Sequence, residues 1–111
     1  MITTTTSSVE GKKIVKYLGI VTGEVVIGSH LFEDVFHGLR GIVGGRSTKF
    51  EQKLSRARAM AMKLMRENAE QAGANAVVGV DLDYETLNAG DAILMVIANG
   101  TAVFVEEGDR K

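Results

Sequence analysis

The sequence predicts an α+β domain, a small antiparallel sheet packed by one long helix. Three observations predict it. Apolar residues recur at helical spacing between Thr48 and Ala72. A Val- and Ile-rich stretch precedes that segment, over residues 14–28. Two strand-like stretches follow it, over 76–87 and 93–105. The whole chain has 111 residues, which fits one domain with no Pro- or Ser-rich linker.

Taken in order, residues 2–6 are β-branched and short, and read as an edge strand or arm. Residues 14–28 suit a pleated, half-buried surface, and Gly19 and Gly23 interrupt it, so a bulge or tight turn is expected there. Ser29 can cap a short helix over 30–39, with Glu33 and Asp34 near its positive N-terminal end. A glycine-rich loop, Gly44-Gly45-Arg46-Ser47, leads into the long helix.

That helix is expected from about 48 to 72. Thr48-Lys49-Phe50-Glu51 fits a capping box, and Phe50, Leu54, Ala57, Ala61, Leu64, Met65 and Ala72 form one stripe. Gly73 is placed to end it in a left-handed conformation. At 1.5 Å per residue it spans roughly 37 Å, long enough to need a broad sheet or a second subunit as cover.

Residues 76–87 alternate, with Ala76, Val78, Val80, Leu82 and Tyr84 expected on one face and Val77, Gly79, Asp81, Asp83 and Glu85 on the other. Residues 88–91 read as a turn. The stretch 93–105 is apolar on both faces, as in a strand covered on both sides, and it closes a hairpin with its predecessor. The predicted order is β–β–α–α–β–β.

Composition excludes several functions. There is no Cys, so disulfides, thiolate metal sites, iron–sulfur clusters and cysteine nucleophiles are out. The net charge is −1, with 13 basic and 14 acidic residues, which argues against whole-chain nucleic-acid binding. The first eight residues have neither the basic nor the apolar region of a secretory signal. No window approaches the roughly 18 apolar residues of a membrane span, so a cytoplasmic location is expected. Neither a Gly-x-Ser-x-Gly nor a His-Glu-x-x-His motif occurs, and no catalytic residue is assigned.

The total charge hides a division. Between Arg40 and Arg66 stand eight basic residues and one acid, and between Glu67 and Asp109 nine acids and no base. Lys49, Lys53, Arg56 and Lys63 project from one side of the long helix, as an anion or RNA surface, a solvated flank or half of an interface with an acidic neighbour. Aromatic residues for base stacking are not interleaved with them.

Three carboxylates, Asp81, Asp83 and Glu85, share one strand face at about 6.5–7 Å spacing. Such a row repels itself unless it meets cations, either a hard divalent metal or basic side chains. A solvated sheet face is the plainer alternative. His30 and His37 lie two helical turns apart, and each has Glu33 or Asp34 on an adjacent turn, which makes these four a second, weaker metal set. Arg46 and Ser47, with the helix start at Glu51, form a possible anion or interface site. An enzyme acting on an anionic small molecule there is the least favoured reading.

The chain resembles the YbjQ-like family, which carries a heavy-metal-binding label. Four stretches carry the resemblance: Ile2-Thr3-Thr4-Thr5; Gly44-Gly45-Arg46 before Phe50-Glu51; Gly73-Ala74-Asn75-Ala76-Val77-Val78-Gly79-Val80-Asp81-Leu82-Asp83-Tyr84-Glu85; and Gly100-Thr101-Ala102-Val103. The resemblance implies a β-α-β-β core with extra short strands, like a dodecin subunit. It also implies a ring-shaped homo-oligomer, a pentamer; the charge and hydropathy by themselves give no expectation of a nucleic-acid or membrane partner. The metal label, carried onto this chain, falls on Asp81, Asp83 and Glu85, with Arg46 and Glu51 beside them. Without Cys, the soft thiolates that select copper(I), cadmium or mercury are missing, so any metal is expected to be a divalent ion held by Asp, Glu and His. The alternative is an assembly protein whose polar residues form salt bridges between subunits.

Overall fold

The computed structural model describes residues 1–27, 48–88 and 92–108. The expected short helix over 30–39, with His30, Glu33, Asp34 and His37, lies outside the described residues. So do Arg46 and Ser47 of the glycine-rich loop and positions 89–91 of the expected turn.

Four strands and one helix are described: β1 (Ile2–Thr3), β2 (Lys12–Ile27), α1 (Thr48–Gln71), β3 (Ala76–Asn88) and β4 (Ala92–Glu107). The sheet order is β1-β3-β4-β2. β4 is central and pairs antiparallel with both long neighbours, β2 and β3. β1 pairs parallel with β3, through Ile2–Ala76 and Thr3–Val77. The sheet is therefore mixed and not purely antiparallel. A chain that enters beside β3, far from its neighbour in sequence, has no reason to run antiparallel to it. The helix ends one residue earlier than expected, and β2 begins two residues earlier.

Sixteen-residue strands make a long, thin molecule, 58 × 30 × 17 Å, in which, among the described residues, one helix covers one face of one sheet. The helix buries Ala57, Ala61, Met65 and Ala69, an i, i+4 stripe of mostly small residues that brings the backbone close to the sheet. Leu54 and Met62 pack at its margins. Ala72, expected on the stripe, lies past the helix end and is exposed. Under the stripe sit Val21 and Ile27 of β2, Leu94, Val96, Ala98 and Ala102 of β4, and Val77 and Val80 of β3.

Gly23 sits directly below. A Cβ there would collide with the Ala61 carbonyl oxygen and stand 2.6 Å from the Met65 amide nitrogen. Gly23 is thus a contact point for the helix, where the sequence had suggested a bulge or turn. Gly19 does mark a bulge: the β2–β4 register slips between Tyr17 and Gly19, and again between Ile14 and Lys16.

The helix stops as its sequence predicts. Gly73 has φ +91°, its N–H donates to Glu70 O at 3.0 Å, and the Ala74 N–H donates to Ala69 O at 3.0 Å. This pair of bonds satisfies two of the last helical carbonyls. Asn75 then anchors the chain to β4. Its Nδ2 donates to Val105 O at 2.9 Å, and the Val105 N–H donates to its Oδ1 at 2.8 Å.

A second bulge corrects the expected face pattern. Gly79 adopts φ +61°, and the β3–β4 register slips between Val78 and Asp81. Before the slip Val77 faces the helix, while Ala76 and Val78 face away. After it Val80 and Leu82 face the helix. Strict alternation from 76 to 84 therefore fails at one inserted residue. The N-terminal arm seals this irregularity, since the Gly79 N–H donates to Thr6 O at 2.8 Å and the Val80 N–H to Thr4 O at 3.0 Å.

Among the described residues, the second sheet face is covered at one end only. Ala76, Val78, Val103 and Val105 are buried there with Val9 and Ile14 packed against them. Toward the other end Met95 and Ile97 of β4 are half-buried, so the expectation of a last strand covered on both faces holds for part of its length.

Candidate functional site: the open sheet face

The part of this second face that no described element covers carries the carboxylate row. Because β3 pairs antiparallel with β4, Asp81 stands opposite Asn99, Asp83 opposite Ile97 and Glu85 opposite Met95. β2 extends the rows on the far side, with Thr22 opposite Asn99, Glu24 opposite Ile97 and Val26 opposite Met95. The Thr22 hydroxyl donates to Asn99 Oδ1 at 2.8 Å and fixes the top of the face. All three acids are exposed, as is Glu24.

The Gly79 bulge sets which face of the sheet these acids share. With Leu82 turned to the helix, its neighbours Asp81 and Asp83 must point the other way. A side-chain hydrogen-bonding contribution from Asp81, and then the Asp81 charge, push Asp83 above its ordinary value of 3.8, with desolvation and the Glu85 charge adding to the rise. Like charges gathered on one strand face favour a cation beside them.

Among the described residues, no group of three His, Cys, Asp or Glu side chains is arranged to hold a metal ion. The row supplies Asp81, Asp83 and Glu85 spaced along one strand face, with Glu24 in line across the sheet. Glu24 was not singled out from the sequence. It comes from a strand more than fifty residues distant, and only the β2–β4–β3 register puts it in line with Asp83. Glu51, the remaining candidate within the described part, lies in the first turn of α1, exposed.

The basic helix side has a separate geometry. Lys53 and Arg56 overhang the outer margin of β2, where with Ala57, Met60, Val25, Val26 and Ile27 they line a groove of about 400 Å³. On the other side of the helix, Arg58 Nη1 donates to the Tyr84 hydroxyl at 3.4 Å. Lys63 pairs with Glu67 at 3.9 Å on the same helix. Among the described residues no cation from α1 forms an ion pair with Asp81, Asp83 or Glu85, because the helix and the row occupy opposite faces of the sheet. The separated charges therefore do not cancel within the described residues.

No helix among the described residues is long and apolar enough to cross a membrane. A solved structure shares the architecture. The crystal structure of a protein of unknown function from Pediococcus pentosaceus, of the DUF74 family, superposes with a TM-score of 0.58 at 16% identity, covering 96% of this chain and 98% of that one. At that identity the likeness is one of fold. A family model with the description "Putative heavy-metal-binding" matches residues 1–106, spanning the arm, both bulged strands, the helix and the acidic row. With nearly the whole chain matched, the protein belongs to the YbjQ family.

Proposed function

We propose that the protein works as a homo-oligomer, a ring of five subunits, whose open sheet face is covered in the assembly. The carrying observation is apolar exposure on one face of β2: Tyr17 is 71% exposed, Ile20 83% and Val26 58%. Their β4 partners, Val103, Thr101 and Met95, place all three on the face away from the helix. Large apolar side chains concentrated on one face of a sheet favour burial against another surface. Native mass spectrometry tests this. A pentamer of 11.9 kDa subunits is expected for the wild type, and smaller species for Ile20→Ser/Val26→Ser. A monomeric wild type at micromolar concentration overturns the reading.

A second reading is favoured by the Asp81–Asp83 pair and by the family's description. In it the protein binds a divalent metal ion through these carboxylates, with Glu85 nearby. The donor set does not fit a thiophilic heavy metal, since the chain has no Cys. It fits a harder divalent ion that keeps water or takes ligands from elsewhere in the assembly. Calorimetric titration with Mn²⁺, Ni²⁺, Zn²⁺ and Cu²⁺ tests it, and equal heats for the wild type and Asp81→Asn/Asp83→Asn reject it. The alternative function is purely structural, with neighbouring basic side chains meeting the row in place of a metal.

A further inference from the structure

We infer that the groove between α1 and the outer margin of β2 binds a small amphipathic anion, a carboxylate carried on an apolar body. The site lies on the helix side of the sheet, away from the acidic row, and goes beyond both readings above.

Two elements build its walls. On α1, Lys53, Arg56, Ala57 and Met60 stand three and four residues apart, so one side of the helix presents them together. On β2, Val25 and Ile27 pack toward the helix. Ala57 and Ile27 are buried, Val25 is half-buried, and Met60 is 46% exposed at the rim. The volume of about 400 Å³ falls within the roughly 300–1,000 Å³ of small-molecule sites. Such sites are lined mainly by apolar side chains with a few polar groups to orient the ligand, and the same holds here.

The polar groups are donors. Lys53 is half-buried and Arg56 exposed, and among the described residues neither has an ion pair. The acids of β2 and β3 lie on the opposite face of the sheet, and Glu51 of α1 stands about 160° round the helix from Lys53. The β2 edge supplies a third donor. Thr22 and Asn99 join through their side chains, and the Thr22 carbonyl accepts from Asn68 Nδ2 at 2.7 Å. Both contacts mark a residue whose backbone groups turn away from β4. The β2–β4 register is unbroken from Ile20 to Ile27, so Val26, four residues on, also turns its N–H outward at the groove. Among the described residues no strand pairs with this edge. A neutral hydrocarbon leaves these donors unmet, and a bare inorganic anion leaves the apolar walls wet. A carboxylate accepts from an Arg fork and a backbone N–H, while its apolar body covers Ala57, Met60 and Ile27.

The five methionines give a local readout. Protein carrying ¹³C in its Met methyl groups is titrated with octanoate and followed by NMR, with Met60→Leu assigning the groove signal. A saturable shift of Met60 is expected, while Met95, on the face away from the helix, stays in place. Lys53→Gln/Arg56→Gln should weaken octanoate binding by roughly tenfold or more, the loss expected for charge-assisted hydrogen bonds. Octan-1-ol should bind the wild type and this variant alike, and more weakly than octanoate binds the wild type. Met65 is fully buried, so its unchanged signal shows that the variant is folded. No saturable shift at Met60, or equal octanoate affinity for the wild type and the variant, overturns the proposal. A shift of Met95 in place of Met60 overturns it in favour of the open sheet face. A Met60 signal that moves with protein concentration and ignores octanoate overturns it in favour of a second copy of the chain in the groove.

Discussion

Gly23 and Ala61 meet backbone to backbone: the space for a Cβ on Gly23 is occupied by the Ala61 carbonyl oxygen. This contact sets how closely the helix sits on the sheet, and it depends on small residues on both elements. Gly23→Ala must push α1 away or bend β2. A loss of about 1–3 kcal/mol or more is expected, the usual cost of overpacking a tight core. Urea denaturation of the wild type and variant measures it, and an unchanged midpoint contradicts the packing described.

Asn75 acts as an added strand residue toward Val105. Asn75→Ala removes both bonds and leaves a backbone N–H and C=O of β4 without these partners. The expected destabilisation is about 1–3 kcal/mol. Asn75→Asp should also be destabilised, because a carboxylate cannot donate to Val105 O. Thermal melts of both variants check this.

The Asp81–Asp83 pair gives stability a defined pH dependence. Asp83 has its carboxyl raised above 3.8 by its neighbour, so the folded protein holds a proton that the unfolded chain releases sooner. The stabilisation is complete below 3.8 and is lost as pH rises through the raised value. Asp83→Asn should remove this fall and leave stability at neutral pH equal to or above the wild type. Denaturation curves from pH 3 to 7 report it, and a variant whose slope matches the wild type refutes the assignment.

The Lys12–Glu107 pair, 2.7 Å apart at the ends of β2 and β4, has the opposite sign. Its hydrogen bond and then the Lys12 charge hold Glu107 below 4.5. Its contribution is present above that value and is lost as pH falls through the lowered one. The pair is exposed, so the effect is small and screened by salt. Glu107→Gln should fray this end of the sheet, seen as faster amide exchange at Lys12 and Lys13 in low salt, with the difference shrinking in high salt.

The order of segments was legible in the sequence because each long element carries its own period. The α1 stripe, the Gly73 stop and the β3–β4 pairing depend on residues near one another in the chain, and local geometry answers to local pattern. The acidic row was legible for the same reason, since Asp81, Asp83 and Glu85 alternate on a strand. Tertiary structure decided what depends on distant partners. The Gly79 bulge changes which β3 residues face the helix, and its N–H is satisfied by Thr6, more than seventy residues away. The parallel β1, the place of Gly23 under Ala61 and the alignment of Glu24 with Asp83 likewise follow from strand order and register, which no single segment encodes. The cysteine count fixed the donor chemistry outright, because a residue that is absent cannot be supplied by folding. The division between a basic helix and acidic strands is written in the chain. That these charges lie on opposite faces of one sheet, apart within the described residues, was settled by the packing of α1 on the face the acids do not use.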